Sequence, residues 1–517
     1  MSNSSNTLTA PNAKRLLWAG FMAILAAGVG YSVRGGILGQ WAEQFGFTMT
    51  DLGKITGGGL TGFGVVIILS SLIADKVGYG KLLFGAFILH VISAAVTLAA
   101  PAAFASGGKD AAYECLFWGM FIFAVGNGLC EAVVNPLTAT LFPNNKAHYL
   151  NVLHAGWPAG LVVGGLASAF MAAKPAAEGV AAVAAVPWTI QMSLFLIPVI
   201  IYGVMLFGQK FPESEVSSAG VSLGGMLASI ATPLMLVLII THALVGYVEL
   251  GTDSWISKIT GTILASPAAG LKLFVYTSLL MFGLRFVAGP IVHKISPLGL
   301  LLISSVLGFL GLHLLGSAST VIACVIAATV YACGKTFLWP TMLAVVSERF
   351  PKGGAVAIGL IGGVGMLSAG LLGGPAIGFK QDFHASANLK ETTPAAYERY
   401  KADKENSFMG ISTVGLDGAK VGVLADNGAE VDRVTALLTK EGKKDENHEK
   451  LATWWNEVKP LAAEDKEPVN KAGVIGGQMA LKLTSYVPLT MAGIFLLLVI
   501  YFRAKGGYKP LTVDESH

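Results

Sequence analysis

Among the charged side chains within or at the ends of the long apolar stretches of this 517-residue chain, six stand out. They are Arg34, Glu131, Glu249, Asp253, Arg285 and Lys335. A charge in an apolar environment is costly unless it is paired or faces water, so these residues are candidates for function. Because three acids balance three fixed cations, we expect several of them to pair around a central cavity that handles a proton or a small polar solute.

Glu131 is the strongest candidate for handling a proton. It lies in the middle of an apolar run, five residues before Pro136, and Asn135 follows one helical turn along the same face. An acid at this depth is suited to bind and release a proton because its charged form is costly there. The alternative is a structural carboxylate tied to Arg34 or Lys335. Asn135 is expected to contact the solute.

Lys335 precedes Pro340 by the same five residues that separate Glu131 from Pro136. If both side chains face one cavity, they can pair, and protonation of Glu131 would free the ammonium of Lys335 for a substrate oxygen. The alternative is a lysine whose stem packs against its neighbours. Trp339, one turn beyond Lys335, is expected to stack on an apolar face of the solute.

Glu249 and Asp253 are four residues apart and therefore share one helix face. We interpret them as acceptors for sugar hydroxyls, with a solvated helix end as the alternative for Asp253. Arg34 is expected to contact substrate. For Arg285, a gate and a structural partner are equally consistent with the sequence.

The remaining candidates are expected to control conformational change. They are Asp75, Lys76, His154, Trp157, His293 and Lys294. Asp75 ends an apolar run and can clamp a neighbouring helix, and His293 occupies the matching place six runs later. His154 and Trp157 begin another run, where a gating role and substrate contact are equally consistent with the sequence.

The composition of the chain indicates the class of protein in which these residues are held. A soluble protein has roughly 25% charged residues, whereas this chain has 13%, with 54% hydrophobic residues and a mean hydropathy of +0.65. Of its 35 basic and 31 acidic residues, 32 fall within 380–482, which leaves 34 among the other 414 positions, or 8%. A soluble enzyme is therefore unexpected, and a net charge of +4 does not indicate a nucleic-acid partner. No phosphate-binding loop, metal-ligand spacing or cofactor motif is present.

Twelve apolar windows are long enough to cross a bilayer. They are 16–40, 53–74, 82–104, 113–141, 150–173, 187–208, 225–250, 267–292, 297–317, 319–346, 354–379 and 483–502. Short loops on the side of the termini carry more Lys and Arg than those on the other side, which predicts a multi-pass protein of the cell (inner) membrane with both termini cytoplasmic.

The two halves of the chain share features that indicate an internal repeat. Gly156, Gly160 and Gly164 recur at four-residue steps in the fifth window, as Gly370, Gly374 and Gly378 do in the eleventh. Such ridges let helices approach closely. We expect an all-α integral membrane protein with the following parts: a six-helix half (1–208), a cytoplasmic linker (209–224), a second half (225–379 with 483–503), an extracytoplasmic insertion (380–482) and a cytoplasmic tail (504–517).

Several short segments resemble a known family. Asp75-Lys76-x-Gly78 between the second and third windows resembles the loop motif of the major facilitator superfamily. Within it, Glu131 to Pro136, and Tyr247-Val248-Glu249 with Trp255, resemble the fucose and glucose/galactose permeases, which are sugar–proton symporters. The resemblance implies that Glu131 takes part in proton coupling and sugar binding. The permeases also have an acid late in the first span, where this chain has Arg34.

Together these observations predict a secondary active transporter that moves a small polar solute, most simply a sugar, with protons by alternating access. Its partners would be the solute, protons and the bilayer, and the resemblance implies a monomer. An organic anion such as a sugar acid is the alternative solute, and a membrane sensor that uses the outer loop is the alternative class. For 380–482 we expect a partly helical cap, with a disordered tether as the alternative.

Overall fold

Twelve long helical spans make up most of the described part of the chain. The computed structural model describes residues 10–47, 49–57, 59–172, 185–441 and 444–515. Within these residues, the helices long and apolar enough to cross a membrane, here called spans 1 to 12, are Ala13–Phe45, Lys54–Val77, Tyr79–Leu98, Ala100–Leu141, Pro143–Met171, Trp188–Leu206, Pro233–Ile263, Pro267–Arg285, Ala288–Leu315, Val321–Arg349, Pro351–Thr392 and Glu446–Ala504. Twelve crossings leave both termini on one side, the terminal side, opposite the distal side. The end of the fifth predicted window, at 173, lies outside the described residues.

Several spans are interrupted rather than uniform. The helices of the first six spans are Ala13–Phe45, Met49–Gly57, Gly59–Val77, Tyr79–Leu98, Ala100–Leu141, Lys146–His154, Gly156–Met171, Trp188–Ser193 and Leu196–Leu206. Two short helices, Glu215–Ser218 and Leu223–Ile230, follow before the second half. The helices of the last six spans are Pro233–Gly246, Thr252–Ile263, Pro267–Arg285, Ala288–Leu315, Val321–Lys335, Leu338–Arg349, Gly354–Ser368, Gly374–Thr392 and Ala462–Ala504, with π-helical turns at Tyr247–Gly251 and Ala369–Gly373.

A turn at Gly108 interrupts span 4 near its start. Its φ of 70° interrupts the helical backbone between Ala100 and Leu141. Gly119 lies against Thr97, and Gly126 lies against His90. The chain therefore reverses at Gly108, and spans 3 and 4 pack as an antiparallel pair.

The glycine ridge of span 5 packs directly on span 1. A Cβ at Gly156 or Gly160 would lie 2.5 or 2.4 Å from a backbone oxygen of span 1, and one at Gly164 would lie 2.9 Å from another. The close approach predicted for this ridge is confirmed. In span 11 the ridge is shared between neighbours, because Gly370 faces span 2 and Gly378 faces Trp255 of span 7.

The two halves meet along spans 2 and 11 and along spans 5 and 8. A Cβ at Gly64 would lie 2.8 Å from the carbonyl oxygen of Gly363, and one at Gly359 would lie 2.2 Å from Ser71. A Cβ at Gly165 of span 5 would lie 3.1 Å from Val275 of span 8. The interface between the halves therefore consists of two pairs of closely packed helices, and any space enclosed by these pairs is lined by residues of both halves.

The charged block between spans 11 and 12 folds around its own apolar core. It contains the helices Pro394–Tyr400, Gly418–Asp426, Ala429–Glu441 and Glu446–Val458, and an antiparallel hairpin of β1 (Asn406–Phe408) and β2 (Ile411–Thr413). Leu389, Tyr400, Leu424 and Trp455 belong to its core. Arg399 binds Asp465, and this hydrogen bond raises the pKa of the guanidinium. The block is therefore folded and partly helical, as predicted, rather than a disordered tether.

Replacing Gly28 by alanine tests the contact between spans 1 and 5. A Cβ there would lie 2.5 Å from the carbonyl oxygen of Trp157. Overpacking of this kind costs about 1–3 kcal/mol, so Gly28→Ala should lower the melting temperature of the detergent-purified protein. Gly39→Ala is the control on the same helix, because its Cβ would meet nothing within 4 Å. Equal melting temperatures for the two variants would contradict the packing described.

Candidate functional site

Arg285 lies at the centre of the polar groups between the two halves. Its guanidinium donates from Nη2 to Glu249 Oε1 at 2.9 Å, from Nε to the carbonyl of Thr336 at 3.0 Å, and from Nη1 to the carbonyl of His154 at 2.5 Å. Only 1% of its side chain is exposed. Glu249 and Thr336 belong to the second half, and His154 belongs to the first. One side chain therefore links spans 5, 7, 8 and 10.

Two prolines explain why these carbonyl groups accept from Arg285. In an α-helix, a carbonyl accepts from the N–H four residues later. Pro158 follows His154 by four residues and Pro340 follows Thr336 by four, and proline has no N–H to donate. Arg285 supplies a donor to each freed carbonyl. The prolines thus create the acceptors that Arg285 bridges.

Glu249 and Asp253 are both ion-paired. Glu249 lies in the π-helical turn of span 7 and binds Arg285, while Asp253, in the following helix, binds Lys335. The second oxygen of each carboxylate, Oε2 and Oδ2, is buried without a hydrogen bond among the described residues. The pair of Glu131 with Lys335, predicted for the case that both face one cavity, does not form, because the ammonium binds Asp253 instead.

Glu131 binds an amide rather than a cation. Its Oε2 accepts from Asn135 Nδ2 at 2.7 Å, and Asn135 Oδ1 lies 2.8 Å from His154 Nε2. Glu131 is 9% exposed and forms no ion pair within the described part of the chain. Neither Arg34 nor Lys335 therefore holds it in place. The chain of contacts continues from His154 to Arg285 through the backbone carbonyl.

A cavity of about 210 Å³ lies between the halves on the distal side of this network. It is lined by Ala27, Tyr31, Arg34, Thr56, Gly59, Leu60, Phe63, Phe123, Ala124, Asn127, Trp157, Ser254, Ala369, Gly370 and Gly374. Arg34 is the charged member of this lining. The rings of Tyr31 and Trp157 lie 5.6 Å apart, centroid to centroid. Trp157, which the sequence left between gating and substrate contact, therefore lies at the cavity.

Trp339 does not line the cavity. It is buried, with its ring 4.6 Å from that of His242 and a close approach to Gly365. The expectation that Trp339 provides a stacking surface is wrong for this arrangement, because span 10 turns the indole toward spans 7 and 11. Tyr31 and Trp157 provide the accessible rings instead.

Contacts between the halves close the terminal side. Asp75 Oδ2 accepts from the backbone N–H of Ala355 at 3.1 Å, at the start of the first long helix of span 11. Asn151 Nδ2 donates to Thr341 Oγ1 at 3.2 Å, which joins spans 5 and 10. Three further predicted gating residues are exposed: Lys76, His293 and Lys294. Asp75 thus forms a contact between the halves, whereas its counterpart His293 faces outward.

A second buried polar cluster escaped the sequence analysis. His90 of span 3 is fully buried, with Nδ1 2.8 Å from Tyr202 Oη and Nε2 3.0 Å from Asn127 Oδ1. Asn127 also lines the cavity. Its position four residues before Glu131 and eight before Asn135 was an available signal, because these residues share a helix face. The sequence gives no comparable signal for His90 or Tyr202.

Replacing Arg285 by methionine tests its structural importance. Arg285→Met leaves Glu249 buried without its cation and the His154 carbonyl without a donor, which should cost about 3–5 kcal/mol. Thermal denaturation in detergent measures the loss, and adding Glu249→Gln should recover part of it.

Arg15→Met is the matched control. Arg15 also donates to two carbonyl groups, those of Val204 and Met205, but at an exposed position. Its loss should change stability by less than about 0.5 kcal/mol. Equal melting temperatures for the two variants would show that the buried Arg285 contributes no more to stability than the exposed Arg15.

Comparisons with known proteins agree with this architecture. A family model described as Major Facilitator Superfamily matches residues 20–374. A search of curated proteins returned no match. The transporter FucP in its outward conformation aligns with a TM-score of 0.57 and 16% identity, covering 71% of this chain and 92% of that chain.

Two further solved structures differ in what they are described as carrying. The proton:xylose symporter XylE, bound to 6-bromo-6-deoxy-D-glucose, aligns with a TM-score of 0.57 and 14% identity, covering 74% of this chain and 91% of that chain. The human organic anion transporter MFSD10 aligns with a TM-score of 0.58 and 12% identity, covering 94% of this chain and 100% of that chain. At these identities the alignments show the fold.

The family match extends over more than half of the chain and includes most of both halves. The twelve spans in two six-helix halves agree with the fold of the solved transporters. The chain therefore belongs to the Major Facilitator Superfamily of membrane transporters.

Proposed function

We propose that the protein is a secondary active transporter that carries a sugar together with protons by alternating access. The observation that carries this proposal is the difference between Glu131 and the other two acids of the site. Glu249 and Asp253 are neutralised by Arg285 and Lys335, whereas Glu131 is held by an amide. Glu131 can therefore gain or lose a proton without breaking an ion pair.

The hydrogen bonds of Glu131 offer a route from protonation to movement. As a carboxylate it accepts from Asn135, but a protonated carboxyl also has an O–H to donate. A change in the hydrogen bonds of Asn135 would alter its contact with the ring of His154. The backbone carbonyl of His154 accepts from Arg285 of the opposite half. A proton on Glu131 can thus alter the contact between the halves, which is what coupled transport requires.

The cavity supports a sugar as the solute. It combines the rings of Tyr31 and Trp157 with the polar side chains of Thr56, Asn127 and Ser254. A sugar ring has apolar faces and a hydrogen-bonding rim, and both kinds of group are needed to bind it. XylE and FucP are similar in fold, and XylE is described as a proton:xylose symporter.

Alternating access requires a side that can close. The contacts of Asp75 with Ala355 and of Asn151 with Thr341 close the terminal side, and the cavity lies on the distal side of the Arg285 network. We propose that the halves rock about this site, with both termini in the cytoplasm and the charged block outside. The transporter would work as a monomer in the cell membrane.

Replacing Glu131 by glutamine tests proton coupling. In proteoliposomes, wild-type uptake of the transported sugar should rise when a pH gradient is imposed, acidic on the outside of the transporter. Glu131→Gln keeps the shape and the contact with Asn135 but cannot carry the proton, so the stimulation should disappear. Exchange of labelled for unlabelled sugar, without a gradient, should persist. The sugar is found by screening hexoses, deoxyhexoses and uronates.

Glu114→Gln is the matched control, because Glu114 lies on the same span but is exposed and accepts a hydrogen bond from Trp118. This variant should retain both exchange and stimulation. Wild-type stimulation in Glu131→Gln would refute the assignment of Glu131 as the proton carrier. If the wild type ignored the gradient, symport itself would fail and facilitated diffusion would replace it.

A further inference from the structure

We propose that the transported solute carries a carboxylate, and that this group binds between the guanidinium of Arg34 and the amide NH2 of Asn127. The inference rests on the proposed function, because it narrows the solute from sugars in general to sugar acids. It depends on three observations: the state of Arg34, the orientation of the Asn127 amide, and the chemistry that the two groups share.

Arg34 forms no ion pair with an acid among the described residues. It lines the cavity, with its guanidinium 5.6 Å from the centroid of the Tyr31 ring and Nη1 3.4 Å from Met120 Sδ. Within the described residues no carboxylate lies within ion-pair distance of it. Arg285 and Lys335, by contrast, are each paired. The guanidinium that faces the cavity is therefore available to bind an anionic group of the solute.

His90 determines which end of the Asn127 amide faces the cavity. Asn127 Oδ1 can only accept, so the His90 Nε2 beside it must carry a proton. In the neutral ring, Nδ1 then accepts from the hydroxyl of Tyr202. With Oδ1 engaged, the NH2 group of Asn127 makes no hydrogen bond among the described residues and is available to a ligand. His90 acts as a positioning residue for this donor.

Arg34 and Asn127 thus present donors alone. A sugar hydroxyl both donates and accepts, whereas a carboxylate only accepts and can receive two parallel N–H bonds from a guanidinium. An anionic group satisfies both residues and neutralises the charge of Arg34. The rings of Tyr31 and Trp157 in the same cavity suit the apolar face of a sugar ring. The matching solute is a compact hydroxylated carboxylate, such as a hexuronate.

The test compares sugars with the acids derived from them. Exchange of labelled solute is measured in proteoliposomes without a pH gradient, for glucose against glucuronate and for galactose against galacturonate. The wild type should prefer at least one acid over its parent sugar by at least roughly tenfold in kcat/KM, as expected for a charged hydrogen bond. Arg34→Gln should abolish this preference, and Arg34→Lys should retain part of it.

Two further variants separate binding from general damage. Asn127→Asp keeps the size of the side chain but replaces a donor by a negative charge, so it should lose the acid selectively. His90→Leu, which removes the donor to Asn127 Oδ1, should raise KM for the acid more than it lowers kcat, because it frees the amide to rotate. Arg503→Gln removes an exposed arginine outside the cavity and should change nothing. Melting temperatures close to that of the wild type show that the variants are folded.

The possible results distinguish this inference from the proposed function. A wild-type preference for both parent sugars, or a preference for the acid that survives in Arg34→Gln, overturns the carboxylate site while leaving proton coupling intact. A preference for an acid without stimulation by a pH gradient supports the site and refutes proton coupling. If neither acid exchanges, and neither raises the melting temperature above that seen with its parent sugar, the carboxylate site is also refuted.

Discussion

At the centre of the buried polar network, one guanidinium joins the two halves by binding three acceptors. Arg285 binds a carboxylate and one carbonyl of its own half, and a carbonyl of His154 in the other half. A buried carbonyl that loses its donor costs about 1–3 kcal/mol unless water replaces the donor. Separation of spans 5 and 8 therefore requires water to reach His154 as the halves part.

The charges of the site fall into two groups with different consequences. Glu249 with Arg285, and Asp253 with Lys335, are buried pairs in which the loss of one partner leaves an isolated charge. Their pairing fixes the second half as a scaffold. Arg34 and Glu131, both in the first half, lack such partners among the described residues. The groups free to respond to a solute or a proton thus lie in one half, opposite a scaffold whose charges are already satisfied.

Hydropathy and glycine spacing predicted the spans and the packing of Gly156, Gly160 and Gly164, because both follow from local composition. Side-chain partners were harder to predict, because they depend on how each helix is rotated about its axis. Glu131 and Lys335 occupy equivalent positions relative to Pro136 and Pro340, yet the lysine binds Asp253. Pro158 and Pro340 each signalled a free carbonyl, but the arginine that binds both carbonyls lies on another span. His90 became important only through its contact with Asn127.

Span 12 and the end of the charged block form one helix, Ala462–Ala504. The portion before the apolar run, 462–482, is about 30 Å long at 1.5 Å per residue. Because it also packs on the helix Gly374–Thr392 of span 11, the block is a lever fixed to the second half. A rotation of roughly 15°, on the scale of known subunit rotations, would move its far end by about 8 Å. Small angular changes within the spans would therefore be magnified into larger displacements at the distal end of the block.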